Sequence, residues 1–224
     1  VDAMNELKQD IESRLGSAAA LATNSIQRQV GTIIYKGTYN TSGWFGEVTA
    51  LPINVETGAV GAPLWLASDH VPQWDSRTII SYNGTSSIAF LYDNLTDTQK
   101  ALLGNNGHDV EALVNFIRGD QSNNVSHGGP FRVRPNPIGD IVHSAPTYYK
   151  GVVYIGANDG MLHAIDAFTG EEIFCYVPNM LYDHLSDLGN RILGVAVFDS
   201  AGEVLAGRPT PMPEVHEPIG REIS

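Results

Sequence analysis

The sequence predicts a mostly β chain: a partial, modified β-propeller with a short helical insertion and an N-terminal amphipathic helix. Three observations predict it. Val152 to Pro178 spells three strands and two defined turns, and an earlier segment repeats that order of anchor residues. The 224 residues also include 23 glycines and 12 prolines, a turn-rich composition suited to β structure rather than a helical bundle.

In the first stretch Val152 to Ile155 is β-branched or aromatic, and Asn158-Asp159-Gly160 tolerates positive φ. Met161 to Ile165 then follows as a second strand. Asp166 can fold a second turn by accepting from its own backbone, with Gly170 in a left-handed conformation, before a third strand from Glu172 to Val177. The blade motif is therefore Gly156, Asn158, Asp159, Gly160, Asp166 and Gly170. In the earlier copy Gly46 to Ala50 matches Gly160 to Ala164, Thr57-Gly58 answers Thr169-Gly170, and Trp65 takes the place of Phe174.

The other elements follow in order. Met4, Leu7, Ile11 and Leu15 recur at helical spacing, so residues 3–15 read as an amphipathic helix ended by Gly16. Strands are expected at Thr32–Tyr39, Trp44–Ile53, Trp65–Ala67, Arg77–Tyr82 and Ser87–Tyr92. Thr96 can cap a helix over Asp97–Leu103 with Gly104 as its stop, and Asp109–Arg118 carries Val110, Leu113, Val114 and Ile117 on one face. Residues 119–138 read as a long loop, and Asp140–Tyr149 as a strand leading into the blade. Arg191–Phe198 reads as a strand, with a turn at Asp199 to Gly202. From Gly207 onward Pro209, Pro211, Pro213 and Pro218 break any regular element. The expected divisions are a lead-in at 1–30, a partial propeller at 31–206 with its insertion at about 96–118, and an extended tail at 207–224.

A formal charge of −12 argues against a generic electrostatic hold on nucleic acid or anionic lipid. No apolar run reaches the roughly 20 residues of a membrane span. The single cysteine, Cys175, excludes an internal disulfide and reads as core filler in the third strand of the blade. The chain opens at Val1 without a signal-like segment, which reads as a processed form or a fragment.

No residue set announces catalysis. His143-Ser144 and His163 lack a Gly-x-Ser-x-Gly elbow, and His163 reads as a hydrogen-bonded strand residue. His127 has no second ligand at zinc-like spacing. The pairs Asp93/Asp97 and Glu171/Glu172 offer calcium a foothold, although Asp97 suits a first helical turn and the glutamates suit solvent. No cofactor is certain. Trp44 and Trp65 are expected in the core, and Trp74, beside Pro72 and Asp75, is the expected exposed contact.

Several stretches, taken in order, carry a resemblance: Gly16 to Ser25, Trp44 to Ala50, Val114 to Asp120, Phe131 to Arg134, Gly139-Asp140-Ile141-Val142-His143-Ser144-Ala145-Pro146, and Gly156 to Ala164. Over about residues 13–180 the chain resembles the PilY/PilC-type proteins of type IV pili, exported proteins with a modified C-terminal propeller. The resemblance implies a non-enzymatic, tip-associated protein at the cell surface that works with minor pilins, favours extension over retraction, and in some relatives adheres to a host or surface ligand. Two departures stand out: relatives continue through further blades, and this chain has no Asp-x-Asp-x-Asp-Gly calcium loop, so calcium regulation transfers to no residue here.

The blade is also similar to the repeats of quinoprotein dehydrogenases, a likeness of fold alone. A closed propeller takes four or more blades. With about two legible, unpaired edges invite self-association or completion of the ring in trans. A structural subunit is therefore the second reading, and a piece of a quinoprotein-like oxidoreductase the third.

Overall fold

Two antiparallel meanders dominate the structure, a computed structural model that describes residues 20–23, 32–40, 43–54, 56–142, 144–190, 197–198 and 204–206. The first sheet runs β1 (Ala20–Thr23), β2 (Ile33–Asn40), β3 (Phe45–Pro52) and β4 (Trp65–Leu66) in sequence order. The second contains β5 (Ile79–Tyr82), β6 (Ser87–Ala89), β7 (Thr147–Tyr149), β8 (Val152–Gly156), β9 (Leu162–Asp166) and β10 (Glu172–Tyr176), in the order β6-β5-β10-β9-β8-β7. Within it β7 to β10 form the second meander. The β5–β6 hairpin joins it by a parallel pairing, with Cys175 opposite Ile79. The chain is mostly β, and the described residues close no ring.

The internal repeat holds at the level of register. Ala50 on β3 lies between Tyr35 on β2 and Trp65 on β4, and Ala164 on β9 lies between Tyr154 on β8 and Phe174 on β10. The turns that follow are built alike. Asn54 Oδ1 accepts from the amides of Glu56 and Thr57, and Gly58 N donates to the Asn54 carbonyl. Asp166 Oδ1 accepts from Phe168 and Thr169, and Gly170 N donates to the Asp166 carbonyl. Gly58 and Gly170 sit at φ 73° and 80°, the left-handed region that a side chain disfavours.

Helix α1 (Asp97–Leu103) starts with a capping box, Thr96 accepting from the Gln99 amide and Gln99 accepting from the Thr96 amide. Helix α2 (Val110–Arg118) is capped by Asp109 and buries Leu113, Val114, Phe116 and Ile117. The short α3 (Tyr182–Leu185) follows β10. These helices cover β5 and β10 in one apolar cluster that includes Phe90, Leu103, Phe116, Phe131, Val177 and Tyr182. Tyr35, Val48, Trp65, Ile141, Val153, Ile155 and Ile165 form a second cluster between the two meanders.

The segment expected as one strand over Asp140–Tyr149 is a strand only at Thr147–Tyr149. Its start is held from two directions: the preceding Gly139 bridges to Phe45 of β3, while the Asp140 carbonyl accepts from Asn158 N in the β8–β9 turn. No single ladder can hold both. Trp65 is buried as expected, but Trp44 lies half-buried in the turn before β3 at φ 48°. The expected helix at 3–15, the turn at Asp199–Gly202 and the tail from Gly207 lie outside the described residues. Contacts separate Arg191–Ser224 as a unit of its own, in which β11 (Val197–Phe198) pairs with β12 (Val204–Ala206). Among the described residues no helix is long and apolar enough to cross a membrane.

Candidate functional site

The Asn158-Asp159-Gly160 turn between β8 and β9 leads directly into a buried ionic network. Asn158 is exposed and bonds Asp140 through its side-chain amide. Asp159 turns inward, 1% exposed, where Oδ2 accepts from Gly139 N at 2.8 Å and Oδ1 from Met161 N at 3.1 Å. Gly139 must be glycine here, because a Cβ would lie 2.4 Å from the Asp159 amide nitrogen. Gly160 completes the turn at φ 80°, and Gly156 N donates to Ser144 Oγ. Asp166 is half-buried, and buried Gly170 lies against the Trp65 ring.

From Asp159 the network passes to His163 on β9, whose Nε2 lies 3.1 Å from Asp159 Oδ2 and whose Nδ1 lies 3.2 Å from Glu172 Oε2. Both ring nitrogens face carboxylates, so both carry protons and donate. Glu172 then takes a two-point grip from Arg77, Nε to Oε1 and Nη2 to Oε2, each at 2.7 Å. Cys175 Sγ donates to Glu172 Oε2 at 3.0 Å and lies 3.2 Å from His163 Nδ1. The side chains of Arg77, Glu172, His163 and Asp159 are at most 3% exposed.

Two further arginines tie this network to α2. Arg134, buried, donates to the Phe116 and Ile117 carbonyls near the helix C-terminus and stands 3.8 Å from Asp159. Arg118 donates to the carbonyls of Phe90, Trp74 and Arg77, while Arg77 Nη1 returns a 2.6 Å bond to the Arg118 carbonyl.

The electrostatics follow from these pairings. Burial opposes ionisation of Asp159, yet the His163 charge and hydrogen bond, with Arg134 and the Gly139 amide, hold it at about 2. Burial likewise opposes Glu172, but its bonds from His163 and Arg77 hold it well below the usual carboxylate range. Burial also disfavours the imidazolium of His163. The Asp159 carboxylate, by its charge and its hydrogen bond, outweighs that and raises its pKa well above the ordinary value. Burial lowers Arg134 to about 10, which leaves it charged at neutral pH.

Strand register explains the location. His163 pairs with Ile155 of the inter-sheet cluster on one side and with Cys175 of the helix-covered cluster on the other. Directly opposed residues share a sheet face. The ionic network therefore sits where the two apolar clusters meet.

Several expected features take other roles. Glu172, expected in solvent, is buried, because a register shift between Glu172 and Phe174 turns it to the same side as Cys175. Cys175 is buried in the helix-covered apolar cluster as expected, and its Sγ also donates to Glu172. Ser144 Oγ accepts from Gly156 N, and the partners of His163 are Asp159, Glu172 and Cys175, so the two form no triad; His143 lies outside the described residues. His127 is exposed in its loop, as are Asp93 and Asp97. Trp74 is half-buried, its carbonyl held by Arg118. Among the described residues, the cleft of about 350 Å³ beside the β8–β9 turn, lined by Ser144, Asn158, Met161, Leu162 and Pro178 among others, holds no ionisable side chain. Arg77, Arg118 and Arg134 were not singled out by sequence; of these Arg118 was legible, four residues after Val114 and hence on the apolar face of α2.

Sequence comparison relates the chain to a family. A type IV pilus biogenesis factor PilY1 homolog from Xylella fastidiosa is 33% identical over 208 residues, 80% of this chain. The chain is of the PilY1 type. PilY1 of Pseudomonas aeruginosa strain UCBPP-PA14 is 26% identical over 88% of the chain, and a second PilY1 homolog of X. fastidiosa is 28% identical over 80%. The chain spans 16% to 20% of the length of these PilY1-type relatives. No family profile and no solved structure matches it.

Proposed function

We propose that this chain is a segment of a type IV pilus assembly and adhesion protein, non-enzymatic, exported, and placed at the cell surface or pilus tip. The observation that carries the reading is the likeness to PilY1 biogenesis factors over four fifths or more of the chain. The site supports it: the ionisable groups that cluster are sealed inside and paired with one another, an arrangement suited to holding two packed layers together rather than to turning over a substrate.

The partners in this reading are minor pilins, with a host or surface ligand as the adhesive target. Self-completion through β edges is the weaker reading on physical grounds. The outer strands β1, β4, β6 and β7 are four, two, three and three residues long, and short edges offer little template. The test is capture of purified minor pilins by the immobilised chain. Saturable binding of at least one minor pilin, absent with the major pilin alone, is expected; no binding to any of them would overturn the assembly reading.

A further inference from the structure

We propose that His163, Glu172 and Cys175 form a buried site for a zinc-class divalent ion, bound through His163 Nδ1, Glu172 Oε2 and Cys175 Sγ. Among the described residues they are the group of ligand-bearing side chains close enough to share an ion. The three atoms form a nearly equilateral triangle, with Nδ1 to Oε2 at 3.2 Å, Nδ1 to Sγ at 3.2 Å and Sγ to Oε2 at 3.0 Å. A tetrahedral zinc ion with ordinary bond lengths separates such ligands by about 3.3–3.6 Å. The triangle needs to open by only a few tenths of an ångström.

Three features favour an ion. Glu172 Oε2 faces three donors at once, Arg77 Nη2 at 2.7 Å, His163 Nδ1 and Cys175 Sγ, one more than an oxygen with two lone pairs accommodates well. The far nitrogen of His163 already bonds Asp159 Oδ2, the carboxylate partner that orients metal-bound imidazoles. Charge also balances. The Nδ1 and Sγ protons leave to solvent as one divalent cation enters, so the net charge beside Arg77 is unchanged, and Glu172 keeps its Arg77 Nε bond through Oε1. One nitrogen, one sulfur and one carboxylate oxygen suit zinc and disfavour calcium, which takes oxygen ligands.

With these side chains sealed from solvent, the ion is taken up as the chain folds, clasping β9 to β10 at the seam between the two apolar clusters. The test uses the whole chain purified from cells grown in zinc- or cobalt-supplemented medium. One equivalent of zinc by elemental analysis is expected, with a near-ultraviolet thiolate-to-cobalt charge-transfer band in the cobalt form. Cys175→Val, a change to an apolar residue, is expected to lose both the metal and the band. A metal-free wild-type chain, cobalt held without that band, or metal retained by Cys175→Val would each overturn the site. The wild-type cobalt spectrum reports sulfur ligation directly, so the test stands even if the variant misfolds.

Discussion

Arg77 and Glu172 are matched so closely that each makes the other's burial possible. Neither can be removed alone. Arg77→Met leaves the Glu172 carboxylate buried without its strongest partner, and is expected to cost about 3–5 kcal/mol in urea denaturation. The Arg77→Met/Glu172→Met double variant is expected to recover much of that loss, because it removes both charges. A single variant as stable as the parent would show that the pair is solvated. Tyr35 gives a pH-dependent prediction. Its hydroxyl donates to the Ala167 carbonyl, and burial, with the neighbouring Tyr148 and Asp166 charges, pushes the phenol up to about 12. The unfolded chain ionises near about 10, so the unfolded state loses its proton first and stability falls between the two values. The advantage of the parent over Tyr35→Phe is expected to be full below about pH 10 and to vanish towards pH 12, as chemical denaturation across that range would show. The Asn-Asp-Gly turn was legible at this scale because its chemistry is local. The inward turn of Glu172 was not: the strand alternation that places Cys175 inside places Glu172 outside, and only the irregularity between them reverses it.

Helix α1 was readable to the residue from Thr96 to Leu103, since a cap, a run and a stop all lie within one short segment. Thr96→Ala removes the acceptor for the Gln99 amide and is expected to cost about 1 kcal/mol by thermal or urea denaturation. The repeated turn carries a steeper demand. A Cβ on Gly170 would stand 2.8 Å from the Trp65 ring at φ 80°, so Gly170→Ala is expected to cost about 1–3 kcal/mol. A neutral effect would mean that Trp65 can move away freely. The repeat itself could be seen in the sequence because Gly, Ala, Thr-Gly and an aromatic ring recur in order, and their cross-strand pairings coincide. The parallel pairing of β5 with β10 could not, because strands nearly a hundred residues apart share no local signal. The segment from Asp140 to Tyr149 misled for a related reason: its start is held by β3 on one side and by the β8–β9 turn on the other.

At the scale of the molecule, two meanders pack through one apolar cluster and helices cover the far strands through another. An ionic network lies at the seam between the clusters. A mostly β chain of repeated meanders was legible from turn chemistry and repetition, whereas the network depended on long-range placement of Arg77, Arg118 and Arg134. The short outer strands predict a monomer by size-exclusion chromatography with light scattering over a wide concentration range. A discrete, concentration-dependent oligomer would instead bring completion in trans to the front. The proposed role in type IV pilus assembly is tested by piliation of the native strain after in-frame deletion of residues 32–190 from its gene. Sharply fewer surface pili are expected by electron microscopy, restored by the intact gene. Normal piliation, with the shortened protein still produced and exported, would contradict it.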